Sequence, residues 1–89
     1  MTAWSVYVLQ CADGSYYTGV TKDLTRRLDA HGAGKASKYT RSRLPIRLVC
    51  TWGRWRKRGS ALKLEARIKA MTRLQKQALI RRKGGVVES

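Results

Sequence analysis

The stretch from Trp4 to Val20 constrains the fold more than any other. Its first half alternates, with Trp4, Val6 and Val8 on one side and Ser5, Tyr7, Leu9 and Cys11 on the other. A period of two is the signature of a strand. Ala12-Asp13-Gly14 is a turn signal, and Tyr16-Tyr17-Thr18-Gly19-Val20 then reads as the returning strand of a hairpin. Two registers are open. A two-residue Asp13-Gly14 loop puts Tyr7 and Tyr17 on opposite faces. A three-residue Ala12-Asp13-Gly14 loop, with Gly14 left-handed, puts them on the same face.

The rest of the chain alternates between helix and strand signals. Thr21 or Asp23 caps a helix that runs to about His31 and stops at Gly32 and Gly34. Residues 32–44 are rich in Gly, Ser, Lys and Arg and read as a basic loop. Pro45 bars helix, and Ile46–Trp52 reads as a third strand. Residues 53–59 read as a turn, and Ser60 caps a helix through about Ala70. Thr72 and Gln75 form a capping-box pattern that opens a last helix, which runs to about Lys83. The expectation is an α+β fold in the order β-β-α-β-α-α, a small three-stranded antiparallel sheet flanked by helices. One domain covers 1–83, with a short flexible tail at 84–89.

Length and charge narrow the function. At 89 residues there is room for one small domain, and 43% hydrophobic content is enough for a core. No apolar run reaches the ~20 residues of a membrane span, and no signal peptide is visible, so a cytoplasmic protein is expected. The net charge is +15, from 20 Lys and Arg against 5 Asp and Glu. Between Ala30 and Val87 the single acid is Glu65. Such a field attracts polyanions, because neutralising phosphates releases condensed counterions. Nucleic acid is therefore the expected partner. The basic helices lack the clean apolar face that a membrane-surface helix needs. A charge serving solubility alone does not require +15. Cys11 and Cys50 read as reduced, buried small hydrophobes. With one His they cannot complete the four ligands of structural zinc.

Helical spacing singles out three residues. With successive residues about 100° apart, Arg27 and His31 lie on or beside the apolar stripe of Leu24 and Leu28, while Arg26 points nearly opposite. Arg27 could equally snorkel along that stripe, and His31 could complement the helix dipole. Glu65 falls on the apolar face of Ala61, Leu64 and Ile68, with Lys63 and Arg67 pointing away. A buried carboxylate needs a partner or a metal. Magnesium is held by one or two carboxylates, with water and phosphate completing its shell. A helical pair with Lys69, or a buried salt bridge, would satisfy Glu65 as well.

These residues together resemble a known family. Ser5-Val6-Tyr7, nine intervening residues, then Tyr17-Thr18-Gly19 is similar to the paired motif of the GIY-YIG nucleases. Arg27 follows at the family spacing, His31 comes one turn later, and Glu65 lies on a downstream helix. The runs 34–41, 45–49 and 61–65 resemble the small, stand-alone bacterial branch. The resemblance spans roughly Trp4 to Arg82.

It implies metal-dependent hydrolysis of a phosphodiester, usually in DNA rather than RNA, with one divalent ion, Mg²⁺ or Mn²⁺. By that resemblance Glu65 would hold the metal and Arg27 would stabilise the phosphate charge. Tyr7 and Tyr17 would flank the attacking water, one of them as general base, with His31 assisting. Lys35, Lys38, Tyr39, Arg41 and Arg43 are the candidate nucleic-acid contacts of the basic loop. Tyrosine is a weak base at neutral pH, and Arg27, the metal and the positive field are expected to favour its phenolate. Two features depart from the family pattern. Ser5 stands where Gly is usual, and the chain has no Asn, although many members carry one near the site. A non-catalytic nucleic-acid-binding module on the same fold is the alternative.

Overall fold

The computed structural model describes residues 3–84. Of the tail expected at 84–89, residues 85–89 lie outside the described residues. Strands β1 (Trp4–Gln10) and β2 (Tyr16–Thr21) form the hairpin, followed by helices α1 (Leu24–Gly32) and α2 (Lys38–Arg41). Strand β3 (Arg47–Trp55) and helices α3 (Arg58–Lys69) and α4 (Arg73–Arg82) complete the chain. The sheet is antiparallel, in the order β2-β1-β3.

The three-residue turn decides the hairpin register. Gly14 adopts φ +85°, its N–H donates to Cys11 O at 2.9 Å, and Cys11 N–H donates to Ser15 O at 2.9 Å. Glycine takes this left-handed conformation without the steric cost a Cβ would bring. Tyr7 then pairs with Gly19 and Leu9 with Tyr17, so Tyr7 and Tyr17 share a face.

As the middle strand, β1 is buried on both faces: Val6, Tyr7, Val8 and Leu9 are each 0–1% exposed. Helices α3 and α4 cover the Val6/Val8 face through Ala61, Ile68 and Ile80, with Trp52 and Leu64 packed at the margin. The Tyr7 face meets His31 of α1, which in turn meets Thr40 of α2. Both cysteines are free and buried, as expected. No helix among the described residues is long and apolar enough to cross a membrane.

Caps account for most helix boundaries. Asp23, not Thr21, caps α1, accepting the Arg26 N–H at 3.1 Å. The Thr72/Gln75 capping box opens α4, with reciprocal bonds of 3.2 and 2.9 Å. Helix α3 starts at Arg58, so the expected cap Ser60 lies inside it, and the actual N-cap Lys57, three residues earlier, makes no side-chain bond. The expected basic loop at 32–44 contains the short helix α2, capped by Ser37, which accepts the Tyr39 N–H at 3.1 Å. Strand β3 continues through 53–55, where a turn was expected, and pairs Gly53 with Ser5 and Trp55 with Trp4. The register shift between these pairs is absorbed by Arg54 at φ 94°. A Cβ at Gly53 would come within 2.7 Å of Ser5 Oγ. The serine at the usual glycine position is thus accommodated by a glycine across the sheet.

Gly19 has a similar role at the site, since a Cβ there would overlap Cζ and Oη of Tyr7. Gly19→Ala is expected to cost about 1–3 kcal/mol by overpacking. Thermal unfolding should show a Tm lower by about 4–8 °C for each kcal/mol. An unchanged Tm would mean that the Tyr7 ring does not lie over Gly19.

Candidate active site

Burial puts the Tyr7 phenol where only another side chain can satisfy it. Its Oη lies 2.8 Å from His31 Nε2, and His31 Nδ1 lies 2.8 Å from Thr40 Oγ1. The Thr40 hydroxyl donates to Ser37 O at 3.3 Å. That bond fixes the direction of the others. With its proton on Ser37 O, Thr40 Oγ1 accepts from His31 Nδ1–H, which leaves the Nε2 lone pair to accept the Tyr7 O–H. His31 and Thr40 are both 0% exposed.

The charges follow. Burial, followed by the Arg27 guanidinium, holds His31 below the ordinary histidine value, so the ring is neutral at neutral pH. It does not serve as a cation on the helix dipole. Burial pushes Tyr7 up to about 12, with Tyr17 and Glu65 adding to the rise and Arg27 opposing it. Arg27 pulls Tyr7 toward the phenolate, as expected, but burial is the larger effect on this phenol. The Arg27 cation does not outweigh loss of water around the phenol.

The Tyr17 ring completes an aromatic cluster. Its centroid is 6.5 Å from Tyr7, 5.2 Å from the His31 ring edge-on, and 6.0 Å from Tyr39 in a stacked arrangement. Arg43 lies 3.9 Å over the Tyr39 ring, pairs with Asp13 at 3.0 Å and donates to Tyr39 O at 3.0 Å. Its guanidinium thus binds within the chain, tying the hairpin turn to α2.

Arg27 is exposed, one helical turn before His31, and its charge acts on both Tyr7 and His31. It lines an open cleft of about 500 Å³ with Trp4, Lys22, Arg26 and Lys35. Glu65 comes from α3, its side chain 17% exposed, with Lys69 Nζ 3.5 Å from Oε2 as its close partner among the described residues. Its carboxylate is near enough to Tyr7 to act on the phenol.

The structure thus brings Tyr7, Tyr17 and His31 into contact and sets Arg27 and Glu65 within electrostatic reach of Tyr7. Of the loop candidates, Lys35 borders the Arg27 cleft, Lys38 and Arg41 are exposed, and Tyr39 keeps 36% of its surface exposed. Sequence reasoning missed Thr40, which orients His31. No periodicity marks a residue in a four-residue helix. It also missed Asp13, whose carboxylate anchors Arg43.

The sheet thus carries two tyrosines on one face, beside a helical arginine and a glutamate from a later helix. A family profile described as "GIY-YIG catalytic domain" matches residues 3–78. The UPF0213 protein BH0048 of Halalkalibacterium halodurans is 45% identical over 84 residues, covering 94% of this chain and 88% of that protein. A UPF0213 protein of Halobacterium salinarum is 47% identical over 74 residues, 83% of this chain and 95% of its own length. The solution NMR structure of BH0048 from Bacillus halodurans superposes with a TM-score of 0.61 at 44% identity, covering 93% of this chain and 87% of that one. The chain belongs to the GIY-YIG domain family, and these relatives within it are small UPF0213 proteins.

The two buried groups bracket stability in pH. Unfolded His31 takes a proton near 6.5, whereas the folded ring resists it. The unfolded state then binds more protons, so stability falls as pH drops below about 6.5. Tyr7 acts oppositely: the unfolded phenol ionises near 10.0 and the folded one only near about 12, so stability falls as pH rises through that window. Tm measured between about pH 5 and 8 is expected to decline on the acid side in the wild type. In His31→Gln the slope should flatten, at a lower overall Tm. An equal slope in both proteins would contradict a buried neutral His31.

Proposed function

We propose that this protein is a divalent-metal-dependent endonuclease that hydrolyses phosphodiester bonds, with DNA as its substrate. The family supports a nuclease-type function. The observation that carries the finer reading is the buried Tyr7–His31–Thr40 chain set beside Arg27 and Glu65.

A phenol raised to about 12 is a poor base alone, but Tyr7 has a neutral imidazole lone pair at 2.8 Å. As Tyr7 Oη takes a proton from an attacking water, its own proton passes to His31 Nε2. Thr40 holds the ring in the tautomer this transfer needs. Tyr7 and His31 thereby act as one base, and no free phenolate has to form beforehand. Tyr17 packs against both rings, keeping them in place. Arg27, at the mouth of the cationic cleft, offers a guanidinium to the phosphoryl oxygens as charge builds there. Lys22, Arg26 and Lys35 line the same cleft and hold the backbone of the substrate.

The donor set suits a hard ion that keeps most of its own shell. No group of three or more His, Cys, Asp or Glu side chains is gathered among the described residues. Glu65 supplies one largely buried carboxylate whose close partner is a half-exposed lysine. A magnesium-type ion accepts one carboxylate, with water and substrate phosphate in the remaining positions. Glu65 would hold it. When bound, such an ion polarises the phosphoryl group and lowers the pKa of bound water. With Glu65 as the one protein ligand among the described residues, affinity for metal in the absence of nucleic acid is expected to be weak.

Cleavage of labelled single-stranded, double-stranded and branched DNA with Mg²⁺ or Mn²⁺ tests this reading. Wild type is expected to cut at least one form. Glu65→Gln should cut at least about 100-fold more slowly while binding within a few-fold of wild type. A wild type that binds all three forms and cuts none would instead favour a non-catalytic binding module.

A further inference from the structure

The run from Arg54 to Arg58, at the Trp4 end of the sheet, breaks local rules three times, each time with a cation. Arg54 stands at φ 94°, a left-handed conformation that glycine takes freely and a residue with a Cβ rarely adopts. Lys57 is the N-cap of α3, where Ser, Thr, Asp or Asn would accept a helix N–H, and its side chain accepts none. Arg58 opens the first turn, which holds no acidic residue, although the helix dipole favours acids there and cations at the other end. Arg81 and Arg82, by contrast, close α4 where the dipole favours them. Arg54, Arg56, Lys57 and Arg58 are all exposed, and none has an ion pair among the described residues. The fold thus gives no reason for cations at 54, 57 and 58. Local violations of this kind concentrate at functional sites.

Trp4 joins this run to the cleft beside α1. Its backbone pairs with Trp55, and its ring centroid lies 5.6 Å from Arg58 Cζ and 4.9 Å from Lys22 Nζ. Trp4 and Lys22 both line the cleft of about 500 Å³ that Arg27 faces. Asp23, the carboxylate on that lining, is taken up in capping α1. Positive charge therefore passes from Arg27 and Lys22, across the indole, to Arg58 and the cations of the run. A continuous basic surface of this kind suits a polyanion with regularly spaced charges.

We propose that the 54–58 run extends the Arg27 cleft into one track for the nucleic-acid backbone, with Trp4 at the joint. The proposal rests on the reading of the protein as acting on nucleic acid. A phosphate held at Arg27 alone leaves the substrate free to pivot. Phosphates held on both sides of Trp4 fix its direction across the domain. The stability forgone at Arg54 and Lys57 is then exchanged for contacts to the substrate.

The test measures thermal unfolding, and oligonucleotide binding across a salt series in EDTA so that cleavage does not enter. Arg54→Gly/Lys57→Ser removes two charges while it relieves the backbone at 54 and supplies a cap at 57. It is expected to unfold at the wild-type Tm or higher, and to lower the slope of log K against log salt by about 1–2 units. Arg81→Gln/Arg82→Gln removes equal charge from the last turn of α4. It is expected to change the slope clearly less, at an equal or lower Tm. A wild-type slope in Arg54→Gly/Lys57→Ser, or an equal loss of slope in both variants, would overturn the proposal. So would a Tm below wild type in Arg54→Gly/Lys57→Ser, since the two cations would then serve the fold. Wild type that binds no oligonucleotide would overturn the nucleic-acid reading itself, a result distinct from the others.

Discussion

Gly14 closes the hairpin in a left-handed conformation, and the register that follows decides which face each side chain of β1 and β2 occupies. A slip of one residue would carry Tyr17 to the side covered by α3 and α4 and leave Tyr7 without its aromatic neighbour. In the register observed, Tyr7 stands opposite Gly19, whose missing side chain provides the space the phenol ring fills. That placement buries Tyr7 and makes His31 its hydrogen-bond partner. The turn glycine and the cross-strand glycine therefore have separate functions in one arrangement. One sets the pairing and the other makes room for its result.

Burial then governs the electrostatics. Positive charge near a tyrosine favours its phenolate, and this chain carries +15. Tyr7 instead rises to about 12, because losing water costs the phenolate more than Arg27 returns. The same burial keeps His31 neutral, so the phenol faces a lone pair rather than a cation. An acid and a base are thus paired at 2.8 Å with neither ionised, an arrangement suited to moving a proton through two groups in sequence. The positive charge has its effect elsewhere. It lines the cleft beside α1, where Arg27 stands with Lys22, Arg26 and Lys35.

Much of this was legible in the sequence, for local reasons. Alternation at 4–11 marked the central strand, Asp23 and the Thr72/Gln75 box marked helix starts, and 100° spacing put Glu65 on the inward face of α3. What stayed hidden depended on distance or shortness. The loop length at Gly14 admits two registers until the pairing is seen. Helix α2 has four residues, too few for a period, so Thr40 carried no signal. Gly53 and Arg54 read as a turn because their composition suits one, yet they form a bulge that lets β3 run on to Trp55. Arg43 looked like the other loop cations, and its ion pair with Asp13, thirty residues away in the chain, appears only in three dimensions.

The account stands or falls on the state of the His31 ring. Nitrogen-15 NMR of the imidazole reads the tautomer and the charge of this single histidine directly. The hydrogen-bond chain requires a neutral ring with its proton on Nδ1, unchanged from about pH 7 down past the ordinary histidine value near 6.5. A ring protonated on Nε2, or one titrating at or above 6.5, would contradict it.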